Sequence, residues 1–219
     1  MNTAKFWTKK LLIYCCGFFL IAIGVCFSIK SDLGVSPVSS TPYVISLISG
    51  IEFGLCTTLV YISFILLQII LMGKNFKIIN LLQIANSSLF GLFVTLAGLA
   101  TTWLPTPTNY MIRLLYCGIA IFLIALGIMF YLGANVLSLP GEGAVQAIAY
   151  RFHIIVPTAK TIFDCSVVCL AIALSFIFTG TLVGIREGTV LTAIFVGFCL
   201  KFLQKKFQHK LDKFLAPTT

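Results

Sequence analysis

The stretch Lys30-Ser31-Asp32-Leu33-Gly34-Val35-Ser36-Pro37 decides how the rest of the chain is read. It breaks the first long apolar run with a charge pair, a glycine and a proline. A second break, Gly133-Ala134-Asn135-Val136-Leu137-Ser138-Leu139-Pro140-Gly141-Glu142-Gly143, sits at the same place in the second half. An offset of 103 aligns the two without a gap. Leu11, Leu12, Phe19, Leu20, Ile21, Ala22, Gly24, Phe27 and Pro37 then fall on identical residues, nine in the 28-residue window from Lys10 to Pro37. Lys10 meets Arg113, Asp32 meets Asn135, and further on Thr58 meets Thr161 and Leu67 meets Leu170. Shared apolar composition would align aliphatics, but it would not also align a glycine, a proline and a basic residue. The chain is therefore an internal repeat.

The 219 residues are 59% hydrophobic and only 10% charged, with mean hydropathy +1.08. A soluble domain needs far more polar surface. The apolar runs are continuous rather than alternating. The expected class is thus all-α integral membrane, because a helix satisfies its own backbone hydrogen bonds in lipid. The net charge of +9 is read as basic residues flanking spans, with no nucleic acid as partner. Leu11 to Ile29 is too long for a signal-peptide core, and no small-residue cleavage pattern follows it. The eight cysteines lie in apolar stretches without a C-x-x-C pair. They are expected to be small apolar residues, not a disulfide set or a metal site.

Six transmembrane helices are expected at about 11–29, 54–72, 81–104, 111–133, 159–180 and 182–203. Two apolar pieces, Pro37 to Ser49 and Gly141 to Phe152, are too short to cross a bilayer core of about 30 Å. Proline at the first turn suits a helix start. The proline-rich linker Leu104 to Asn109 divides the chain into repeats 1–107 and 108–203. A basic tail, 204–219, is expected as a short amphipathic helix on the inner surface. With both termini cytoplasmic, twelve basic residues fall inside and only Lys30, Arg113 and Arg186 outside, a strong orientation signal. Each repeat then holds three spans, an odd number, so the second enters the membrane upside down. Inverted-topology repeats recur in secondary transporters, with the substrate at the repeat interface. Each short piece would be a broken, re-entrant half-helix, since irregular backbone at depth is tolerated only in protein or beside a cavity.

The Asp32-Leu33-Gly34-Val35-Ser36-Pro37 element after a first span resembles the YczE/YyaS/YitT group of bacterial membrane proteins. Gly54 to Thr58 and Gly188-Thr189 look like that group as well. The second half departs from the element, with Asn135 for the acid and Leu137 for the glycine. The resemblance covers most of the chain. It implies a multi-pass protein of the bacterial cytoplasmic (inner) membrane and says little about substrate.

Catalytic signatures are missing: no Ser/His/Asp pattern, H-E-x-x-H, phosphate loop or nicotinamide fingerprint. The histidines, His153 and His209, fall in a loop and in the tail. No enzyme, cofactor or metal is expected. Ionisable residues within spans are costly and mark function. Asp164 is the deepest, with Lys160 one turn earlier on the same face; the pair is either structural or a contact for a coupling ion or substrate. Arg186 and Glu187 open the last span, at the outer interface or in the site. Glu142 caps the second short piece, while Gly141 and Gly143 leave N–H groups open to an anion. Ser36, Ser39, Ser40 and Thr41 offer the same role in the first piece. Asp32 would cap that piece or pair with Lys30, and Asn135 is its counterpart. Ser36, Ser39, Gly141, Glu142 and Gly143 are expected to line one pocket between two half-helix N-termini. Gly180, Gly184 and Gly188 read as a helix-packing stripe, and Gln68 as a helix–helix hydrogen bond.

The reading is a small secondary-type transporter of a small polar solute, anionic or zwitterionic. At this length a homodimer would help to enclose a pathway. The rivals are a flippase for a lipid or polyprenyl phosphate, with basic residues at a groove open to the bilayer, and a non-transporting membrane subunit or sensor.

Overall fold

The structure, a computed structural model, describes residues 3–215, with side chains from Phe6 onward. Residues 1–2 and 216–219, the outer ends of the 1–107 and 204–219 segments, lie outside the described residues, as does the side chain of Lys5. The elements are α1 (Thr3–Ser31), α2 (Pro37–Ser49), α3 (Phe53–Met72), α4 (Gln83–Ala100), α5 (Tyr110–Ala134), α6 (Pro140–Phe152), α7 (Val156–Thr179) and α8 (Glu187–Leu215). Two 3-10 turns, Gly73–Asn75 and Ile78–Leu82, join α3 to α4. No strand occurs among the described residues. All the helices except α2 and α6 belong to six segments long and apolar enough to cross a membrane.

The halves match in backbone as well as in sequence. α2 and α6 each have 13 residues and start on Pro37 and Pro140. Proline suits the first helical position because its missing N–H has no partner there anyway. Each ends on a left-handed residue, Gly50 (φ 70°) and His153 (φ 53°). The preceding breaks also turn on left-handed residues, Asp32 (φ 54°) and Asn135 (φ 47°). Both pairs are separated by 103. Asp, Asn and His are the non-glycine residues that best tolerate this region, so the acid-to-amide change between halves leaves the turn intact.

α1 and α5 form the central seam. A Cβ at Gly24 would lie 3.0 Å from Ile124 N and 3.1 Å from Ala120 O. One at Gly127 would lie 2.8 Å from Ile21 N and 2.6 Å from Gly17 O. Gly24 and Gly127, Ile21 and Ile124, and Gly17 and Ala120 are pairs at the same offset, so the seam is reciprocal. Small residues let helix backbones approach this closely. Around it α2 lies on α7 and α3 on α6, while α4 covers α1 and α8 covers α5.

One relation is not repeated. α3 packs along α4 through Gly54 and Gly91, whose backbones meet. Thr58 Oγ1 reaches Ser87 O at 3.3 Å, and Thr95 Oγ1 donates to Glu52 Oε1 at 2.8 Å. α7 and α8 make no comparable contact. At the same offset Gly54, Ser87, Gly91 and Thr95 become Pro157, Val190, Ile194 and Phe198, too bulky for close approach. Glu52 also caps α3, accepting from Gly54 N at 3.0 Å and Leu55 N at 3.1 Å.

Two expectations are corrected. The tail is not a separate surface helix, because α8 runs unbroken from Glu187 to Leu215. Leu203, Leu211 and Leu215 recur on one face and pack with Ala125 and Met129 of α5, which holds the basic segment to the bundle. Nor do Gly180, Gly184 and Gly188 form a stripe. Gly180 ends α7 with φ 67°, Gly184 turns the loop with φ 74° beneath Tyr43, and only Gly188 is helical, against Leu33. The loop backbone between α7 and α8 separates residues that a continuous helix would have aligned.

Candidate functional site

The polar residues gather at two places. At the first, the C-terminal turn of α1, the start of α5 and the start of α8 converge. Arg113 Nη1 lies 2.7 Å and Arg186 Nη1 3.4 Å from Asp32 Oδ2. Arg186 Nε is 3.5 Å from Glu187 Oε2, and Arg113 Nε donates to Pro107 O at 3.1 Å. Asp32 therefore neither caps α2 nor pairs with Lys30, as expected above. The left-handed turn swings its side chain, 57% exposed, toward the two arginines of the other half. A cavity of about 350 Å³ opens here, lined by Asp32, Tyr43, Leu182, Gly184 and Arg186 among others. Such exposed pairs contribute little to stability, about 0–1 kcal/mol each, so the cluster is a link between halves more than a stabilising core.

The second place lies at the other end of α7. A cavity of about 290 Å³ is lined by Glu142, Val145, Gln146, Val156, Pro157 and Lys160. α7 runs 24 residues from Val156, in this cavity, to Thr179, just before Leu182 in the first. At 1.5 Å per residue the two ends of α7 are about 35 Å apart. Lys160 Nζ donates to Asp164 Oδ1 at 2.6 Å, so Asp164 has its polar partner on its own helix.

Between the cavities sits a packed aromatic core. Tyr14, Phe18, Tyr61, Phe90 and Tyr131 are buried in one cluster, with Tyr61 stacked on Phe90 at 5.6 Å. The tyrosines point polar ends inward. Asn86 Nδ2 donates to Tyr14 Oη at 2.5 Å, and Tyr14 Oη donates to Leu137 O at 2.9 Å. The Tyr131 hydroxyl is turned toward the Glu142 carboxyl. Beside them the Gln68 amide donates to Gln83 Oε1 at 2.9 Å and Pro140 O at 3.2 Å, tying α3, α4 and α6 together.

The two short helices α2 and α6 meet at their first turns. A Cβ at Gly141 would lie 3.5 Å from Val38 Cγ1, and residues 38 and 141 are themselves counterparts. Gly143 packs against the Gln68 amide rather than bordering an open pocket. Ser36 Oγ donates to Ser39 Oγ at 3.0 Å and Ser40 Oγ to Pro37 O at 2.6 Å, so these hydroxyls are engaged within α2. Thr41 Oγ1 donates to Val167 O at 2.9 Å, fixing α2 on α7. Asn135 ends α5 in the left-handed turn, with its side chain exposed.

Sequence reasoning thus named residues at both places but joined them into one site. It missed Arg113, read only as a span flank, and the interior tyrosines, to which it gave no role. The available signal was a polar tip in the middle of an apolar run, which needs a partner when buried.

Six spanning-length helices packed about a small-residue seam, with a polar interior, define a multi-pass helical membrane protein. Residues 8–205 match the family of unknown function DUF6198, and the chain belongs to that family. It is similar to an uncharacterized protein of Haemophilus influenzae, 26% identical over 201 residues, which cover 91% of this chain and 84% of that protein. No solved structure matches the chain.

Proposed function

We propose that the chain is a small secondary-type transporter whose halves, 1–107 and 108–203, cross the bacterial inner membrane in opposite senses with both termini cytoplasmic. The observation that carries this is the meeting of Val38 and Gly141. A residue touches its own counterpart only near the axis relating two repeats, so α2 and α6 start at the axis as re-entrant half-helices. The Asp32 to Pro37 element, which likens the chain to the YczE/YyaS/YitT group, is the turn that sends α2 back toward that axis. Cavities at opposite ends of the bundle, with a packed core between them, suit alternating access.

Each cavity carries both signs of charge, Arg186 with Asp32 and Lys160 with Glu142. That is the complement of a small zwitterion. A panel of amino-acid-like zwitterions, simple carboxylates and lipids would be tested by thermal shift on the purified protein. A solute at about 100 times its Kd stabilises by about 2.7 kcal/mol. Hits are expected to exchange in counterflow through proteoliposomes. One observation favours the lipid rival: Lys160 borders a cavity walled by Val145, Val156 and Pro157. Movement of a fluorescent lipid between leaflets, with no solute exchange, would replace the transporter reading by a flippase; neither activity would leave a non-transporting subunit.

The inverted topology has its own test. Asn75 and Asn109 are exposed, in the linkers after α3 and α4. Single cysteines there, in a cysteine-free background, are expected to react with an impermeant maleimide from opposite faces. Reaction of both from one face overturns the inverted repeat.

A further inference from the structure

Glu142 carries a feature that helix capping leaves unexplained. Its Oε2 is buried without a hydrogen-bond partner, and so is Tyr131 Oη, although the two groups face one another. Tyr131 is only 1% exposed. Two buried polar atoms left without partners in a largely apolar interior are costly to keep. The other edge of Glu142 lines the cavity that Lys160 borders, so the carboxyl has an approach from that end. We infer that Glu142 is a proton-binding site in the protein interior, reached through the Lys160 cavity and served by the Tyr131 hydroxyl.

The chemistry needs one proton and no other reactant. In the carboxylate form Tyr131 Oη–H donates to Oε2. When a proton from water in the cavity binds Oε2, the new O–H donates to Tyr131 Oη, and the tyrosine keeps its own proton. A hydroxyl both gives and accepts, so either state finds its partner after a small rotation. A metal cation fits less well. Glu142 lies in the first turn of α6, where the helix dipole is positive, and Lys160 supplies a further positive charge. The titratable groups facing Glu142 are Tyr14 on α1, Tyr61 on α3, Tyr131 on α5, and Lys160 and Asp164 on α7. An ionisable group buried inside a multi-pass helical bundle is by default a functional element.

The test uses the full chain in lipid nanodiscs with no solute, so it stands or falls apart from the transport reading. Infrared difference spectra would be recorded from about pH 4 to about pH 10, bracketing the ordinary carboxyl and tyrosine ranges. A protonated-carboxyl C=O band is expected to titrate, to vanish in Glu142→Gln and to shift in Tyr131→Phe. It is expected to survive in Asp164→Asn. Persistence of the band in Glu142→Gln, its loss in Asp164→Asn instead, or the absence of any titrating band overturns the proposal. Should Glu142→Gln fail to fold, Tyr131→Phe decides, because an unshifted band there excludes the Glu142–Tyr131 pairing.

Discussion

Replacing Gly127 with valine is expected to destabilise the protein by about 3 kcal/mol or more, the upper range for forcing bulk into a packed core. At about 2–4 °C per kcal/mol for a chain of this size, the melting midpoint in detergent would fall by about 6–12 °C. The reason is what a Cβ at Gly127 would meet: Gly17 O at 2.6 Å and Ile21 N at 2.8 Å. These are backbone atoms of the facing helix and cannot rotate aside, so α1 and α5 must separate along their length. Gly24→Val should behave alike, because its neighbours Ile124 N and Ala120 O are the counterparts of those at Gly127. Gly118→Ala, on the exposed face of α5 with nothing near its Cβ position, should stay within about 1 kcal/mol of the parent. Melting curves for the three variants check this. A Gly127→Val protein that melts with the parent would mean that α1 and α5 do not pack as described.

The second large effect lies at Gly143. Its Cβ position is 2.5 Å from Gln68 Oε1 and 2.8 Å from Gln68 Nε2. Gly143→Ala is therefore expected to push the Gln68 amide off Gln83 and Pro140, at a cost of about 1–3 kcal/mol for the buried groups left unpaired. Gln68→Ala removes the same bonds and should cost a similar amount. The two sites share one contact, so the double variant should lose less than the two losses added together, by at least about 0.5 kcal/mol. Full additivity would show that Gly143 and Gln68 do not touch. This also changes how α6 should be probed. Gly143 substitutions act on folding through Gln68, whereas Gly141, with Val38 at an ordinary 3.5 Å, accepts an added methyl group. Gly141→Ala is thus the better variant for asking whether the meeting point of α2 and α6 takes part in the proposed transport.

Glu142 and Gln68 illustrate why part of the polar interior stayed hidden in the sequence. Glu142 was legible as an acid in the first turn of a short helix, because capping is a local matter of one turn. Its partner Tyr131 comes from a different helix, and nothing in the order of residues places the two together. Gln68 was legible as a residue needing a partner, since an amide in an apolar span must be satisfied, but not as the tie among three helices. Arg113 read as a flanking charge and Arg186 as an interface or site residue, with nothing to join them until the left-handed turn at Asp32 brought one carboxylate between them.

The sequence by itself determined the class, the six spans, the two short helices and the 103-residue repeat. Each follows from information carried along the chain: apolar run length against bilayer thickness, proline and glycine breaks, and recurrence at a fixed offset. α2 and α6, bounded at Pro37–Ser49 and Pro140–Phe152, begin where their prolines put them and end where a left-handed residue stops them. Only the tertiary structure decided that the ionisable residues divide between two cavities at opposite ends of α7, and that α8 absorbs the tail. It alone decided that the halves differ where Gly54 and Gly91 give way to Pro157 and Ile194. These depend on which helix faces lie within a few ångströms of each other. That is set by side-chain volume at the seams, which a linear pattern of apolar residues does not encode.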